Sequence, residues 1–309
     1  MTPELERLRC SSALPTLPSV AVRLIELAND PDLSIETVEE LILLDPVLSS
    51  KILGTANSAW YGMRAKSFTI SQALKIIGLN AAVSLALSFS LVEIAKSMSG
   101  QGIDYALFWK RSLISAVAAK ILGTYANNGS STEELFIAAL LQDIGMLSLC
   151  KADPVLYVRG EQLQKDHRRI SQEEKRRFGF DHARIGAWLL AGWNLPERLL
   201  ETIDASHTEV EELQRLSIEK AIVGLSGPIA DLVIWPGNTR VLDNVVSRVA
   251  SLKLQSQDVT DVLEAVLRVM PEIEKLFEMK LIRENTDSLL RQAKELMAQW
   301  QTAAVHCRP

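Results

Sequence analysis

The chain is poor in the residues that mark several common functions. Its three cysteines, Cys10, Cys150 and Cys307, are far apart and odd in number. That excludes a disulfide framework and a Cys-x-x-Cys zinc site, and it fits a reducing compartment. Positive charge is not in excess, since the net charge is −5. The short basic runs at 167–169 and 175–177 are flanked by acids and read as solvated helix faces. No uncharged run reaches the roughly 20 residues of a spanning helix. The longest, Ile76 to Val92, is interrupted by Gly78 and Asn80 and reads as a buried core helix. The opening Met-Thr-Pro-Glu-Leu-Glu-Arg is charged and polar, unlike a secretory signal. A cytoplasmic protein without nucleic-acid or membrane partners is expected. Gly78, Gly123 and Gly129 are isolated, so there is no glycine-rich phosphate loop. No serine or cysteine stands in a recognisable nucleophile setting. The chain also shows no low-complexity linker, no repeat of fixed period and no receiver, kinase or diguanylate cyclase module. The input signal is therefore expected to come from another protein or through the C-terminal helices.

What is present is helical spacing along almost the whole length. Asp45-Pro46 places a capping acid before a proline at the first helical position. Thr69–Gln72, Ser131–Glu134 and Ser171–Glu174 fit the capping-box pattern. Gly54, Gly100, Gly123, Gly145 and Gly192 read as helix stops or punctuation. The expected fold is all-α, with about twelve or more helices and short connections. Three zones separate: 14–98, 104–207 and 212–309. The last has a break at Trp235-Pro-Gly-Asn238 and an amphipathic run from Asp258 through Val259, Val262, Leu263, Val266, Leu267, Ile273, Leu276 and Phe277. Asn285 to Trp300 reads as one more charged helix.

Three side chains with ligand chemistry fall on apolar faces of the second zone. Asp143 ends an apolar helix, four residues after Ala139. Asp181 caps the next helix, on which His182 shares a face with Ile185, Gly186 and Leu189 at +3, +4 and +7. His207 follows Ile203 by four, on the helix that Pro196 begins. One carboxylate and two imidazoles suit iron, manganese or zinc. The same three groups could equally be core polar side chains that satisfy one another or backbone carbonyls. His167, within Lys-Asp-His-Arg-Arg, is expected at the surface, and His306 in the tail. The tryptophans at 60, 109, 188, 193, 235 and 300 read as core or lid residues. Arg64 and Lys66 sit in an expected loop that could meet an acidic partner.

Several ordered segments resemble a known family. Leu14-Pro-Thr-Leu-Pro-Ser-Val-Ala-Val-Arg-Leu, Asp45-Pro-Val-Leu-Ser-Ser-Lys-Ile-Leu, Ala56-Asn-Ser-Ala-Trp-Tyr-Gly and Ile70-Ser-Gln-Ala-Leu-Lys-Ile-Ile-Gly-Leu are similar to the N-terminal half of an HDOD domain, an HD-related output domain of bacterial signalling proteins. Phe108-Trp-Lys-Arg-Ser-Leu, Ala139-Leu-Leu-Gln-Asp-Ile-Gly, Phe178-Gly-Phe-Asp-His-Ala-Arg-Ile-Gly-Ala and Leu195-Pro-Glu resemble its second half. The likeness covers roughly residues 12–210. It implies an HD-like helical core (101–210) joined to an N-terminal helical bundle (12–100). Residues 211–309 are then a C-terminal helical extension that packs on or beside that core or forms a dimerisation face.

The resemblance also implies a degenerate metal site. HD hydrolases use an early His, an adjacent His-Asp pair and a late Asp. In this chain the early His falls at Arg111, the His of the pair at Gln142, and the late Asp near Gly227, with Asp231 one turn later. Gln is a poor transition-metal ligand, and the guanidinium of Arg111 would repel a cation and could pair with Asp143 instead. The expected pocket is thus vestigial, formed by Arg111, Gln142, Asp143, His182 and His207. No catalytic residue, cofactor or metal is expected, and any metal would use Asp143, His182 and His207. The implied function is non-catalytic signal output or regulation, through a protein partner of a bacterial signalling pathway or a small ligand such as a nucleotide, with a homodimer open. The alternative is a divergent metal-dependent phosphohydrolase or phosphodiesterase acting on a nucleotide or cyclic dinucleotide.

Overall fold

Local capping chemistry sets most helix starts. In the computed structural model Asp45 accepts from the backbone N–H groups of Val47 and Leu48, with Pro46 opening the helix. Thr69 accepts from Gln72 N–H, Ser131 from Glu134 N–H and Asp181 from Arg184 N–H. The structure describes residues 19–28, 32–61, 66–96, 102–126, 131–158, 166–252 and 256–281, together with a few single positions around them. Among the described residues there is no strand, so the all-α expectation holds. Most of the expected helix at 285–300, the segments at 14–18 and 62–65, Gly100, Cys10, Cys307 and His306 lie outside the described residues.

The N-terminal group contains α1 (Ser19–Ala28), α2 (Ile35–Leu43), α3 (Pro46–Ala56), α4 (Ile70–Ile77) and α5 (Leu79–Lys96). Between α4 and α5 the chain bends by 108° at Gly78, whose φ of 88° is open to glycine at no steric cost. The uncharged run at 76–92 therefore spans a sharp corner, and most of its side chains are buried.

The second group is built on α6 (Tyr105–Ala126). Phe108, Trp109, every residue from Arg111 to Ala119, and Leu122 are buried, so α6 is enclosed on all sides. It packs most extensively against α7 (Thr132–Leu141) and α13 (Ile218–Ile234). Between these come α8 (Gly145–Ala152), α9 (Pro154–Val158), α10 (His167–Phe178), α11 (His182–Ala191) and α12 (Glu197–Asp204). Short 3₁₀ turns at Ala205–His207 and Val210–Arg215 follow α12. Among the described residues, the one unbent stretch long and apolar enough to cross a membrane, Thr132–Ala152, is 89% buried within the fold, as a core segment would be.

The last elements are α14 (Thr239–Ser251) and α15 (Ser256–Phe277), after the expected break at 235–238. The stripe read on α15 is buried from Val259 to Phe277, with Leu276 partly so. This helix ties the two groups together. Phe277 meets Phe89 of α5 at 4.7 Å between ring centroids, and the Glu272 carboxylate accepts from Trp60 N–H at 3.1 Å.

Several local expectations differ from the structure. Gly54 and Gly123 lie inside α3 and α6, and Gly145 opens α8 rather than closing a helix. Gly192 follows α11 in the right-handed region, without the left-handed turn of a glycine stop. Ser171 and Glu174 do not form a cap. The chain is already helical from His167, because Asp166 accepts from Arg169 N–H one turn earlier. Trp109 is buried, and the indoles at 60, 188, 193 and 235 are partly buried, as core or lid residues would be.

Candidate metal centre

Four donor atoms meet where α7, α10, α11 and the 205–207 turn converge. Asp143 sits in the tight turn between α7 and α8 and is 1% exposed. Its Oδ1 lies 3.1 Å from His167 Nε2, 3.4 Å from His182 Nε2 and 3.5 Å from His207 Nε2. The three imidazoles also meet one another through Nε2, at 3.0 Å (167–182), 3.2 Å (167–207) and 2.7 Å (182–207). Their planes are close to mutually perpendicular, at 72–83°. The rings thus radiate from a common point. Asp143, His182 and His207, picked out by helical spacing, are together, although His207 lies on the 3₁₀ turn after α12 rather than on the helix itself.

His167 corrects the expectation of a surface residue, being 7% exposed and inside the cluster. It opens α10, and the buried residues of that helix are His167, Ile170, Ser171 and Glu174. That is an i, i+3, i+4, i+7 stripe. Only Ile170 in it is apolar, so the stripe is hidden in a strongly charged sequence. Arg168 does point outward and pairs with Glu209 at 2.7 Å.

The cluster has a supporting shell. His182 Nδ1 is 2.5 Å from Glu174 Oε2, which also accepts the His182 backbone N–H at 2.9 Å. The other Glu174 oxygen accepts from Tyr157 OH at 2.5 Å. Glu174 is fully buried, and its partners account for both of its oxygens. Ser171 donates to Asp181 at 2.8 Å, steadying the residue that caps α11.

Beside the cluster lies an ion-paired arginine. Arg111 Nη1 donates to Asp143 Oδ2, while Nε and Nη2 donate to Asp231 at 2.7 and 3.1 Å. The expected Arg111–Asp143 pair is present, with a second carboxylate on the other side. Asp231 supplies that carboxylate, not the position at Gly227. A Cβ on Gly227 would lie only 2.7 Å from Arg111 Nη2, so the missing side chain there makes room for the guanidinium. Gln142 is buried at the edge of the same pocket as Arg111, its amide donating to the Ala139 carbonyl at 3.0 Å.

Charge follows from this geometry. Burial opposes ionisation of Asp143, but Arg111 and then His167 outweigh it and hold its carboxyl well below the usual range. Burial likewise opposes a charge on His182, yet Glu174 and Asp143 push its pKa up to about 10. His207 is held down by burial and by the charge on His182, and His167 by burial and Arg111. A free cluster therefore carries its positive charge on His182.

A narrow polar cleft, with room for about one water molecule, reaches the cluster, lined among others by Arg111, His167, Arg168, His207 and Arg248. Arg248 is 5% exposed; its Nε and Nη2 donate to Asn244 and the Thr208 carbonyl, and Nη1 has no partner among the described residues. A second, more apolar cleft, lined by Ile103, Leu107, Phe108, Met146 and Ile170 among others, reaches Asp143.

The HDOD domain matches residues 14–209. Over 196 residues the chain is 26% identical to an uncharacterized protein of Treponema pallidum (strain Nichols); the match covers 63% of this chain and 37% of that relative's length. Among solved structures, a candidate phosphohydrolase from Shewanella amazonensis SB2B is 23% identical, with a TM-score of 0.61 over 96% of this chain and 98% of that one. A candidate signal transduction protein from Marinobacter aquaeolei VT8 is 18% identical, with a TM-score of 0.65 over 89% of this chain and 64% of that one. At these identities the likeness speaks to the fold.

Proposed function

Because the chain belongs to the HDOD domain family, we propose that it is a non-catalytic signal-transduction protein that acts by binding a protein partner or a small ligand. The observation that carries this reading is the position of Arg111. Two-metal phosphoester hydrolysis needs ions about 3.5–4 Å apart, and a carboxylate that bridges them gives one oxygen to each. Asp143 has one oxygen on the imidazole cluster and the other on the Arg111 guanidinium. A fixed organic cation therefore stands where the second ion would go. It is held there by Asp231 as well, and it cannot lose its charge at physiological pH.

The polar cleft beside the cluster supports small-ligand binding. Arg248 brings a buried positive charge to it with no ion pair among the described residues, which favours an anionic group on whatever ligand approaches. A cytoplasmic location belongs to the same reading.

The test is an assay of the full chain against a generic phosphodiester and cyclic dinucleotides with added Mn²⁺. No turnover above buffer is expected. Turnover that Asp143→Ala abolishes would establish the hydrolase alternative. A rise in melting temperature with a nucleotide, without turnover, would identify the ligand class.

A further inference from the structure

We infer that His167 closes a four-ligand site for one zinc-class divalent ion, made with Asp143, His182 and His207.

The first support is shape. The six distances among the four donor atoms run from 2.7 to 3.5 Å. They describe a nearly regular tetrahedron. Its centre lies about 1.9 Å from each vertex, close to the roughly 2.0–2.1 Å of zinc–imidazole and zinc–carboxylate bonds.

The second support is a parity argument. Each Nε2 presents to its neighbours either one N–H or one lone pair. Around a triangle of three nitrogens the two kinds cannot alternate. At least one of the three contacts, all within 3.2 Å, must set hydrogen against hydrogen or lone pair against lone pair. No protonation state removes the conflict. A cation at the centre does, because all three lone pairs and the carboxylate oxygen then point at it.

The surroundings agree. His182 gives its far nitrogen to Glu174, and Asp143 gives its far oxygen to Arg111. Such outer partners fix the ring and carboxylate orientation of metal ligands. With neutral imidazoles, the double charge of the ion and the charge of Arg111 balance the three carboxylates of Asp143, Asp231 and Glu174. Three nitrogens and one oxygen suit zinc and are too few oxygens for magnesium or calcium.

The inference deepens the non-catalytic reading. Catalytic zinc keeps a position open for water, and four protein ligands leave none. The ion instead fastens α10, α11 and the 205–207 turn to the turn after α7.

The experiment uses the full chain grown with zinc and purified without chelator. About one equivalent of zinc by elemental analysis is expected, together with a melting temperature that falls on chelation and recovers with Zn²⁺ alone. Co²⁺ should give the intense visible absorption of a tetrahedral site. His167→Ala, at the first residue of α10, should keep its helical circular dichroism and bind zinc at least about a hundredfold more weakly, the upper end of the loss seen for an outer partner alone. His167→Cys should restore tight binding. Wild-type protein that stays metal-free and gives no cobalt spectrum would overturn the site and leave the Arg111 argument standing. Undiminished affinity in His167→Ala would overturn the role of His167. Turnover in the phosphodiester assay would instead overturn the function and leave the site.

Discussion

Gly145 meets Gly186 main chain to main chain. A Cβ on Gly145 would lie 2.6 Å from the Gly186 nitrogen and 2.1 Å from the His182 carbonyl oxygen. This contact presses the turn carrying Asp143 against the first turn of α11, and so sets the distance between Asp143 and His182. No rotamer change relieves a clash with backbone. Gly145→Ala is expected to destabilise by about 3 kcal/mol or more, at the top of the range for overpacking. Gly186→Ala should cost less, since its Cβ would stand 3.1 Å from the Ile144 side chain and 3.2 Å from the Gly145 nitrogen. Urea denaturation followed by circular dichroism reads both, and a wild-type midpoint for Gly145→Ala would contradict the packing argument.

Arg111 holds α6 to α13 through Asp231 and to the α7–α8 turn through Asp143. Arg111→Met strands two buried carboxylates and is expected to cost about 3–5 kcal/mol. Asp231→Asn keeps an acceptor and leaves Arg111 paired with Asp143, so about 1–3 kcal/mol is expected. Equal losses for the two variants would show that Asp143 contributes little to holding the guanidinium.

The chain Tyr157–Glu174–His182 is continuous and buried. Tyr157→Phe removes a hydrogen bond to a charged acceptor and should cost about 1.5–3 kcal/mol. A double-mutant cycle with Glu174→Gln should return a coupling of about 1 kcal/mol or more. Additive losses would mean that the tyrosine is merely packed there.

Cys150 is 4% exposed, and burial pushes its thiol up to about 11, with a backbone hydrogen bond from Ile103 working the other way. A raised pKa lowers the thiolate fraction at a given pH. At pH 8 its alkylation by iodoacetamide should run about a hundredfold slower than for an unperturbed thiol. Peptide mapping separates it from Cys10 and Cys307, and denaturant should erase the difference. Fast modification in the native protein would show that the thiol is reached without unfolding.

The fold was legible because its determinants are local. Asp45, Thr69, Ser131 and Asp181 cap the helices expected of them, and the α15 stripe repeats at helical period. The site was legible where a polar group interrupts an apolar face, as at His182. It was hidden where the polar groups themselves form the buried face. His167 and Glu174 lie on a helix rich in arginine and lysine, and hydrophobic periodicity gives such a face no contrast. The pairing of Asp231 with Arg111, as opposed to its nearness to the late Asp position, was hidden for another reason. It follows from the empty volume beside Gly227, and that depends on how α13 crosses α6 rather than on any spacing along the chain.

The pairing of Arg111 with Asp231 joins residues on opposite sides of the HDOD match, which ends at 209. The sequence signature therefore stops short of the cooperative unit. A fragment cut at the end of the signature would bare the apolar flank of α6 that α13 covers. It would also leave the arginine with one of its two counter-charges. The shortest piece of this protein that can close its own interior must run at least through Ile234, where α13 ends.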